Sequence, residues 1–411
     1  MSFSFAQDCP QCGGAITLDE TDRLLKCPYC NVDSVVSCPG HFRFVLPHKG
    51  DDERLIFAPY LRFKGSVLTC QGLEIKHRIL DVTNSGFHHR LLPFSLGFRP
   101  QALTMRFAAA AMAGSFLPCP QSAEETLAKI IGHPLRSPNT NVFHEAYIGD
   151  SLSIIYLPLA IRGDDLYDMV TDNKLGRLSG DDPFHVHLRE PEPLNWQTTF
   201  LSTICPGCGW NLSGERDSLV LFCPNCETAW EPGATDFSAT AFRSYFNDTG
   251  RQGQLVLPFW EIAAESEGIA ISTFADFLGV TNQPAVALPS WGNTPMRFFS
   301  PAFKIRPKIY LQLASQLTMT QGVLREGEPR LATVPYPVNL PRSEAVQGLK
   351  SILAASSVSK RRLFPLLPET TFRISSITLA LLPFQDTGLS YYQDTLKLNI
   401  NKKVLEFGRT L

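Results

Sequence analysis

The feature that most constrains this chain is a four-cysteine stretch that occurs twice. The first copy joins CPQC at 9–12 to CPYC at 27–30, and the second joins CPGC at 205–208 to CPNC at 223–226. In both copies, fourteen residues separate the inner cysteines. A pair of Cys-x-x-Cys hooks at such a spacing can place four thiolates around one tetrahedral Zn²⁺. Each stretch therefore predicts a small hairpin unit that a metal ion closes.

The residues around the hooks favour the turns that such a site needs. A proline inside each hook fixes φ before any metal arrives. Gly13 and Gly209 follow the second cysteine of the earlier hooks, where a backbone at positive φ lets amides point at sulfur. Asn31 and Glu227 follow the later hooks. Asn tolerates positive φ and Glu does so poorly, so we expect a slight distortion of the second site.

Both stretches resemble the zinc ribbon family, over residues 7–34 and 203–230. The resemblance implies two structural zinc ions per chain, and it implies their ligands: Cys9, Cys12, Cys27 and Cys30 for one ion, and Cys205, Cys208, Cys223 and Cys226 for the other. Disulfides or idle thiols are the alternative. A redox role for a single hook lacks the βαβ context of a thioredoxin-type motif.

Composition narrows the class of protein. The chain has 411 residues, 18% of them charged, and a net charge of −2, which disfavours a protein that coats nucleic acid or an anionic membrane. Eleven cysteines less eight ligands leave Cys38, Cys70 and Cys119. An odd number of remaining cysteines, with no recognisable signal peptide, predicts a cytoplasmic protein. No apolar run is long enough to span a bilayer, so we expect no transmembrane segment.

The two cysteine stretches lie 196 residues apart, and similar landmarks follow each of them in the same order. The landmarks are an apolar strand with a proline (55–60 and 255–260), an Arg-Pro turn before a predicted helix (105–113 and 309–318), a second helix opened by Ser122 or Ser343, a Leu-Pro strand (155–159 and 380–384) and a final hairpin (167–178 and 392–407). This shared order indicates an internal duplication.

The predicted fold class is α+β, with two tandem related halves. Each half is a four-cysteine zinc ribbon followed by a mostly antiparallel sheet with a few helices on one face. The predicted segments are ribbon 1 (1–37), body domain 1 (38–180), a Pro-rich linker (181–198), ribbon 2 (199–232) and body domain 2 (233–411). A doubly wound nucleotide-binding fold is disfavoured, because no Gly-rich turn follows an early strand. The strand prolines are expected at edges or bulges, since proline cannot donate to a central ladder.

Further metal sites have weaker support. His185 and His187 would share one face if their segment were a strand, but no third ligand is near in the sequence, and an exposed incidental pair explains them as well. Cys38 and His41 follow the first ribbon closely. A half-hook lacks four ligands, however, so a buried apolar role for Cys38 is the simpler interpretation.

A basic and aromatic run precedes the predicted helix at 309–318. Arginines and lysines alternate there with phenylalanines, which would suit a platform for single-stranded nucleic acid. Its members are Arg297, Phe298, Phe299, Phe303, Lys304, Arg306 and Lys308. A strand with one solvated face is the alternative. The ribbon hairpins also carry more acidic than basic residues, which is unlike nucleic-acid ribbons.

These observations favour a non-enzymatic zinc-binding scaffold or adaptor that mediates protein–protein interaction or assembly, with a protein partner or self-association. Two alternatives remain: a nucleic-acid-associated zinc ribbon protein, and a subunit of an enzyme complex with a site between the halves. The sequence shows no phosphate loop, nucleophile elbow or HExxH motif, and no residue stands out as catalytic.

Overall fold

The computed structural model describes residues 3–49, 55–119, 141–190, 192–245, 255–284, 288–327, 331 and 333–409. In the first half the strands are β1 (Ser4–Asp8), β2 (Ala15–Asp19), β3 (Leu24–Lys26), β4 (Asp33–Ser37), β5 (Phe42–Val45), β6 (Leu55–Gln71), β7 (Glu74–Ser85), β8 (Met105–Phe107), β9 (Ser115–Phe116), β10 (Val142–Arg162), β11 (Asp165–Asp168) and β12 (Asn173–Arg177). The helices there are α1 (Arg99–Ala102) and α2 (Pro183–Arg189).

In the second half the strands are β13 (Thr199–Ser202), β14 (Leu221–Cys223), β15 (Thr228–Pro232), β16 (Phe237–Thr240), β17 (Phe242–Tyr245), β18 (Leu255–Glu267), β19 (Arg297–Pro301), β20 (Glu326–Gly327), β21 (Thr371–Asp386), β22 (Ser390–Gln393) and β23 (Leu398–Asn401). The α-helices are α3 (Phe274–Val280), α4 (Pro307–Met319), α5 (Arg342–Gln347), α6 (Leu349–Ser356), α7 (Lys360–Leu363) and α8 (Lys402–Gly408), and short 3₁₀ turns occupy Pro289–Asn293, Gln321–Val323 and Phe364–Leu366.

Both halves are built on the same arrangement of strands, which confirms the α+β class and the two related halves. In the first half, β6 and β10 form a long antiparallel pair, β5 runs parallel to β10, and β7 flanks β6. In the second half, β18 and β21 form the antiparallel pair, β17 runs parallel to β21, and β19 flanks β18. A meander follows each long strand, β11–β12 after β10 and β22–β23 after β21.

The strand prolines occupy equivalent places in the two sheets. Pro59 lies on β6 between the end of the β9 pairing at Phe57 and the start of the β7 pairing at Tyr60. Pro158 lies on β10 between the last residue paired with β5 and the first paired with β11. These prolines are therefore in central strands rather than at edges, at gaps where no neighbouring strand could accept an N–H.

Pro258 and Pro383 repeat this arrangement in the second half. Pro258 directly precedes the part of β18 that pairs with β19, and Pro383 lies on β21 between its pairings with β17 and β22. The four prolines thus match in position as well as in type, which supports the duplication.

The halves share a hydrophobic core. The α4 and α6 helices pack over the second sheet, and the apolar cluster that they form also takes in side chains from the far ends of β6 and β10. Those first-half members are Leu68, Cys70, Ala146 and Ile148, all at most 5% exposed. A second cluster fills the first half and includes the buried Phe5, Phe57 and Tyr156.

Several local predictions need correction. The segment predicted as a helix at 105–113 begins with strand β8, because Met105 and Phe107 are buried on either side of the exposed Arg106, a two-residue period. The helix predicted at 309–318 is confirmed as α4. The predicted Ser122 helix lies outside the described residues, and its Ser343 counterpart begins at Arg342 as α5 and continues as α6.

The segment predicted as a semi-extended linker contains a helix. Asp182 caps α2 by accepting a hydrogen bond from the Phe184 amide, and the Phe184 ring is fully buried in the first-half core. Leu194 and Trp196 are also buried there, and Trp196 Nε1 donates to the Pro39 carbonyl. The segment boundaries at 181, 199 and 233 stay predictions.

Candidate metal centres and their junction

Each predicted set of four cysteines is gathered into one cluster. Within each cluster the sulfur atoms all lie within 4.8 Å of one another. The Cys9–Cys30 and Cys12–Cys27 sulfur pairs are 3.7 Å apart, and the Cys205–Cys226 and Cys208–Cys223 pairs are 3.6 and 3.4 Å apart. Four sulfurs bound tetrahedrally to Zn²⁺ at about 2.3 Å would lie about 3.8 Å apart. The separations suit a shared metal ion and are too long for disulfides.

The backbone of the hooks has the predicted conformation. Gly13 and Gly209 have φ of 73° and 76°, and Asn31 and Glu227 have φ of 55° and 52°. The first amide after the hook folds back in the same way at 13, 31 and 209, donating to the carbonyl of the hook's first cysteine. Glu227 also has a positive φ although its side chain disfavours it, and its carboxylate accepts a hydrogen bond from the Leu331 amide.

The thiol pKa values diverge within each cluster. Amide donors, first of all that of Cys30, lower the pKa of Cys27 to about 6, whereas in spite of an amide donor from Val32, burial and the neighbouring sulfurs raise the pKa of Cys30 to about 12. Burial opposes ionisation of Cys205, but the amides of Gly207 and Cys208 outweigh it and lower its pKa to about 6. The amides thus favour a first thiolate, and a bound cation would be needed to ionise the rest.

The second cluster has a hydroxyl partner that the first lacks. Thr228 Oγ1 lies 3.1 Å from Cys226 Sγ and 3.8 Å from Cys205 Sγ. Trp230 Nε1 donates to the same oxygen, which leaves the Thr228 hydroxyl hydrogen to point at sulfur. The corresponding residue two positions after Cys30 is Val32, which has no hydroxyl. In both clusters all four ligand positions are cysteines, so a tetrahedral ion would have no open position for water or substrate.

The two ribbons pack directly against each other. Leu24 and Val35 of the first share an apolar cluster with four residues of the second: Cys205, Leu212, Leu221 and Cys223. The Arg23 and Leu24 amides both donate to the Arg216 carbonyl, and the Arg216 guanidinium pairs with Asp22 at 2.6 Å. β13, which directly precedes the second hook pair, also adds a strand to β4 of the first ribbon.

Residues 215–219 of the second ribbon, which include Arg216, also contact the second half. Asp217 accepts two hydrogen bonds from the Arg409 guanidinium, at 2.6 and 3.1 Å, and one from the Asn339 amide at 2.6 Å. The Leu219 amide donates to the Val338 carbonyl. We call residues 215–219 the junction loop, because it contacts the first ribbon and the second half. Sequence reasoning missed it, since its charged residues resemble an exposed hairpin tip.

The other metal candidates do not form ligand clusters. Among the described residues, the two cysteine clusters are the groups of three or more ligand side chains close enough to hold an ion. His185 and His187 lie on α2 and not on a strand, and His187 Nδ1 is 3.8 Å from Glu192. The Cys38 thiol faces the Gly40 carbonyl at 3.8 Å.

The basic and aromatic run is not a stacking platform. The rings of Phe298, Phe299 and Phe303 are fully buried in the second-half core, where no base could reach them. Arg297 pairs with Glu261 at 3.0 Å, and Lys304 is 7% exposed. The run at 297–301 is strand β19. Arg297 and Lys304 interact with the protein's own acids, whereas Arg306 and Lys308 are exposed beside the buried rings.

Two general findings complete the description. Within the part of the chain described here, no helix has the length and apolar character to cross a membrane. Comparison of the chain with family models, curated proteins and solved structures gives no match in any of the three.

Proposed function

We propose that this chain is a non-enzymatic zinc-binding scaffold that presents the hook surfaces of its ribbons to a protein partner. The observation that carries the proposal is an exposed aromatic side chain at each cluster. Tyr29, inside the CPYC hook, is 66% exposed, and Trp210, two residues after Cys208, is 57% exposed. Tyr and Trp are among the residues that contribute most energy to protein–protein interfaces.

The hook backbones hold these aromatics in place. The Trp210 carbonyl accepts a hydrogen bond from the Cys205 amide at 2.7 Å, which fixes its backbone to a metal ligand. The Tyr29 ring lies so close to Gly14 that a Cβ added there would clash with it. Side chains fixed in this way lose little conformational entropy when a partner binds, and that favours affinity.

We propose Zn²⁺ as the ion in both clusters. Four thiolates in a tetrahedral arrangement suit zinc, whereas oxygen-preferring ions such as Mg²⁺ and Ca²⁺ are disfavoured by soft sulfur ligands. The ions would be structural, because four cysteine ligands leave a tetrahedral ion no open position for water or substrate.

We also propose that the protein works in a reducing cytoplasm. Among the described residues no cysteine is joined in a disulfide, and eight cysteines are gathered for metal binding. A reducing compartment keeps such thiols available to the ion.

The test compares Tyr29→Ser and Trp210→Ser with Leu389→Ser. Leu389 is 82% exposed and lies outside both ribbons, so it controls for the loss of any exposed apolar side chain. Native lysate would be passed over the immobilised full-length proteins, and retained proteins would be quantified by mass spectrometry. Self-association would be followed by sedimentation.

We expect a specific partner or an oligomer of the wild-type protein to be lost with Tyr29→Ser or Trp210→Ser and kept with Leu389→Ser. A monomer that retains no partner, or a partner that all three variants keep equally, would count against the proposal.

A further inference from the structure

A surface groove of about 220 Å³ lies between the end of α3 and the segment 359–366, which contains α7 and the 3₁₀ turn after it. Its floor is apolar and is formed by Ile269, Val280, Leu363 and Leu366. A buried water needs roughly 10–15 Å³ by the same measure, so the groove has room for about fifteen waters. That is enough space for side chains of a bound segment.

The apolar surface continues beyond the groove. Leu366 is 48% exposed although it belongs to the floor, and Val358, which precedes the groove wall, is 64% exposed. The groove-facing residues of the segment recur at the i, i+3, i+4 and i+7 spacing of one side of a helix, as Ser359, Arg362, Leu363 and Leu366. Exposed apolar side chains beside an apolar groove are typical of a surface that a partner covers.

Three polar side chains line the groove without a partner in the described part of the protein. The side chains of Asn282, Ser359 and Arg362 make no hydrogen bond to another described residue. The Asn282 amide group can donate and accept at once, which matches the backbone of an extended peptide. The Arg362 guanidinium can hold a carboxylate through two parallel hydrogen bonds.

The charge beside the groove is positive. Arg361 is exposed next to Arg362, and the charge of Lys360 acts on the buried Cys70 thiol. Among the described residues, none of these three cations forms an ion pair, and Glu369, the acid nearest to them along the chain, does not pair with them. The groove therefore complements a negatively charged group.

Hydrogen bonds fix the two walls of the groove to each other. The Val358 amide donates to the Thr281 carbonyl at 2.9 Å, and Gln283 Nε2 donates to the Ser356 carbonyl. Both contacts join the turn after α3 to the chain that leads into α7. A groove held in this way loses little conformational entropy when a ligand binds.

A peptide fits these features better than nucleic acid or a lipid surface does. The floor is aliphatic and has no aromatic ring on which a base could stack. The floor is also concave, whereas a lipid surface is bound by apolar side chains that protrude into it.

We propose that this groove binds a linear segment of a partner protein in which an acidic residue lies close to an aliphatic one. Arg362 pairs with the carboxylate, the floor takes the aliphatic side chain, and Asn282 binds the backbone of the segment. The groove belongs to the second half, whereas Tyr29 and Trp210 belong to the ribbons, so the two proposals stand or fall separately.

The test begins with a selection of random linear peptides, displayed on phage, against the immobilised full-length, metal-loaded protein. Counter-selection on a variant that carries both Arg362→Gln and Leu366→Ser removes peptides that bind elsewhere. We expect the enriched peptides to contain Asp or Glu close to Leu or Ile. The most enriched peptide is then synthesised with a fluorophore and titrated by anisotropy.

Single variants test each part of the groove with that peptide. Arg362→Gln should weaken binding by at least about threefold, and by less at high salt, since the ion pair is near the surface. Leu366→Ser should weaken it by at least about fivefold through the lost apolar contact. The matched controls are Arg361→Gln, the adjacent arginine outside the groove, and Leu389→Ser, and both should stay within about twofold of wild type.

Titrations with oligothymidine and with phosphatidylserine vesicles compare the other anionic partners. Tighter binding of either one than of the peptide, lost in Arg362→Gln, would overturn the proposal. So would a selection that enriches no peptide or only peptides without an acid, or binding that the folded Arg362→Gln and Leu366→Ser variants retain in full. Metal content and circular dichroism check folding, and if one variant does not fold the other decides.

Discussion

The two metal centres have the same cysteine spacing and the same hook backbone, but they are built into the molecule differently. The hairpin that carries Cys9 and Cys12 belongs to the first-half sheet, since β1 pairs with β2 and also runs parallel to β8. The second ribbon has its own small sheet, β14–β15–β16, and reaches its surroundings through the junction loop. The first metal centre is thus part of the first-half sheet. The second lies beside the junction loop, which contacts the first ribbon and the second half.

The bodies behind the centres show a related difference. Both have the same central strands, but among the described residues the longer helices are those of the second half, and these cover the ends of β6 and β10 as well as their own sheet. On the other side, β13 pairs with β4 of the first ribbon, and this ribbon packs on the junction loop. Among the described residues, the central strands therefore occur in both halves, and α4, α6 and the junction loop join the two halves.

The largest effect is expected from separating the halves. Residues 1–198 expressed alone would expose Leu68, Cys70, Ala146 and Ile148 and would lose β13 from one side of β4, which also pairs with β3. Burial of a large apolar side chain contributes about 1.5–3 kcal/mol, so Leu68 and Ile148 together account for about 3–6 kcal/mol, which is comparable with the lower end of the stability of a typical domain. We expect aggregation or partial folding of each fragment by sedimentation and circular dichroism, and recovery on co-expression.

Fragments that are separately monomeric, with melting transitions like that of the full chain, would show instead that the halves are independent.

Matched ligand variants compare the centres directly. Cys12 and Cys208 are both exposed ligands at equivalent positions. A structural Zn²⁺ contributes on the order of 10 kcal/mol to folding, so Cys12→Ser and Cys208→Ser should each unfold their own ribbon. In hydrogen exchange, Cys208→Ser should also expose the amides of Arg23 and Leu24, which donate to the junction loop, and that of Leu219, which donates from the junction loop to Val338. Cys12→Ser should leave Leu219 protected. Equal exchange patterns in the two variants would show that the two metal centres do not differ in their effect on the junction loop.

A smaller effect on stability is expected from substituting the carboxylates at the junction loop. Asp217 is 8% exposed and accepts three hydrogen bonds, so Asp217→Asn should lower the free energy of unfolding by about 3–5 kcal/mol, the effect of breaking a buried ion pair.

Asp22→Asn is the control. Burial raises the pKa of Asp22 even though Arg216 is near, so its charge is less well stabilised and we expect a loss of about 1 kcal/mol. Urea unfolding measures both values. A larger loss of unfolding free energy for Asp22→Asn than for Asp217→Asn would show that the junction loop is held mainly by the first ribbon and not by the second half.

The smallest expected effect is a pH dependence of folding stability that arises from His144, near the core shared by the halves. His144 lies opposite Cys70 in the β6–β10 ladder, and its Nε2 has no hydrogen-bond partner among the described residues. Burial, and then Lys350, lower its pKa from 6.5 to about 4. Between these values the unfolded chain binds the proton and the folded chain does not, so stability falls as pH drops from 6.5 to 4. His144→Gln should flatten this slope relative to wild type, whereas His77→Gln, at an exposed position on β7, should not. Equal slopes in all three proteins would contradict the assignment.

The parts predicted correctly from the sequence are those set by local chemistry. Cysteine spacing and the residues after each hook predicted the sulfur clusters and the positive φ at Gly13, Asn31 and Gly209. The helix predicted at 309–318 is also present, as α4. These features depend on a few adjacent residues, so sequence patterns can predict them.

The parts that failed depend on distant contacts. The Arg-Pro turn and its counterpart before 309–318 predicted a helix from Met105, but β8 pairs with β1 and β5 instead. The phenylalanines of the basic run could face either water or the core, and β18 and α4 place them inside. The junction loop was missed because Asp217 finds its partners at 339 and 409, far along the chain.

We propose that the two closed four-cysteine centres each hold a structural zinc ion. Native mass spectrometry of the wild-type chain, purified without added metal, tests it most directly. We predict two zinc ions per chain, and one in the Cys12→Ser or Cys208→Ser variant. A wild-type count of zero or one zinc, or two ions of another metal, would contradict the account.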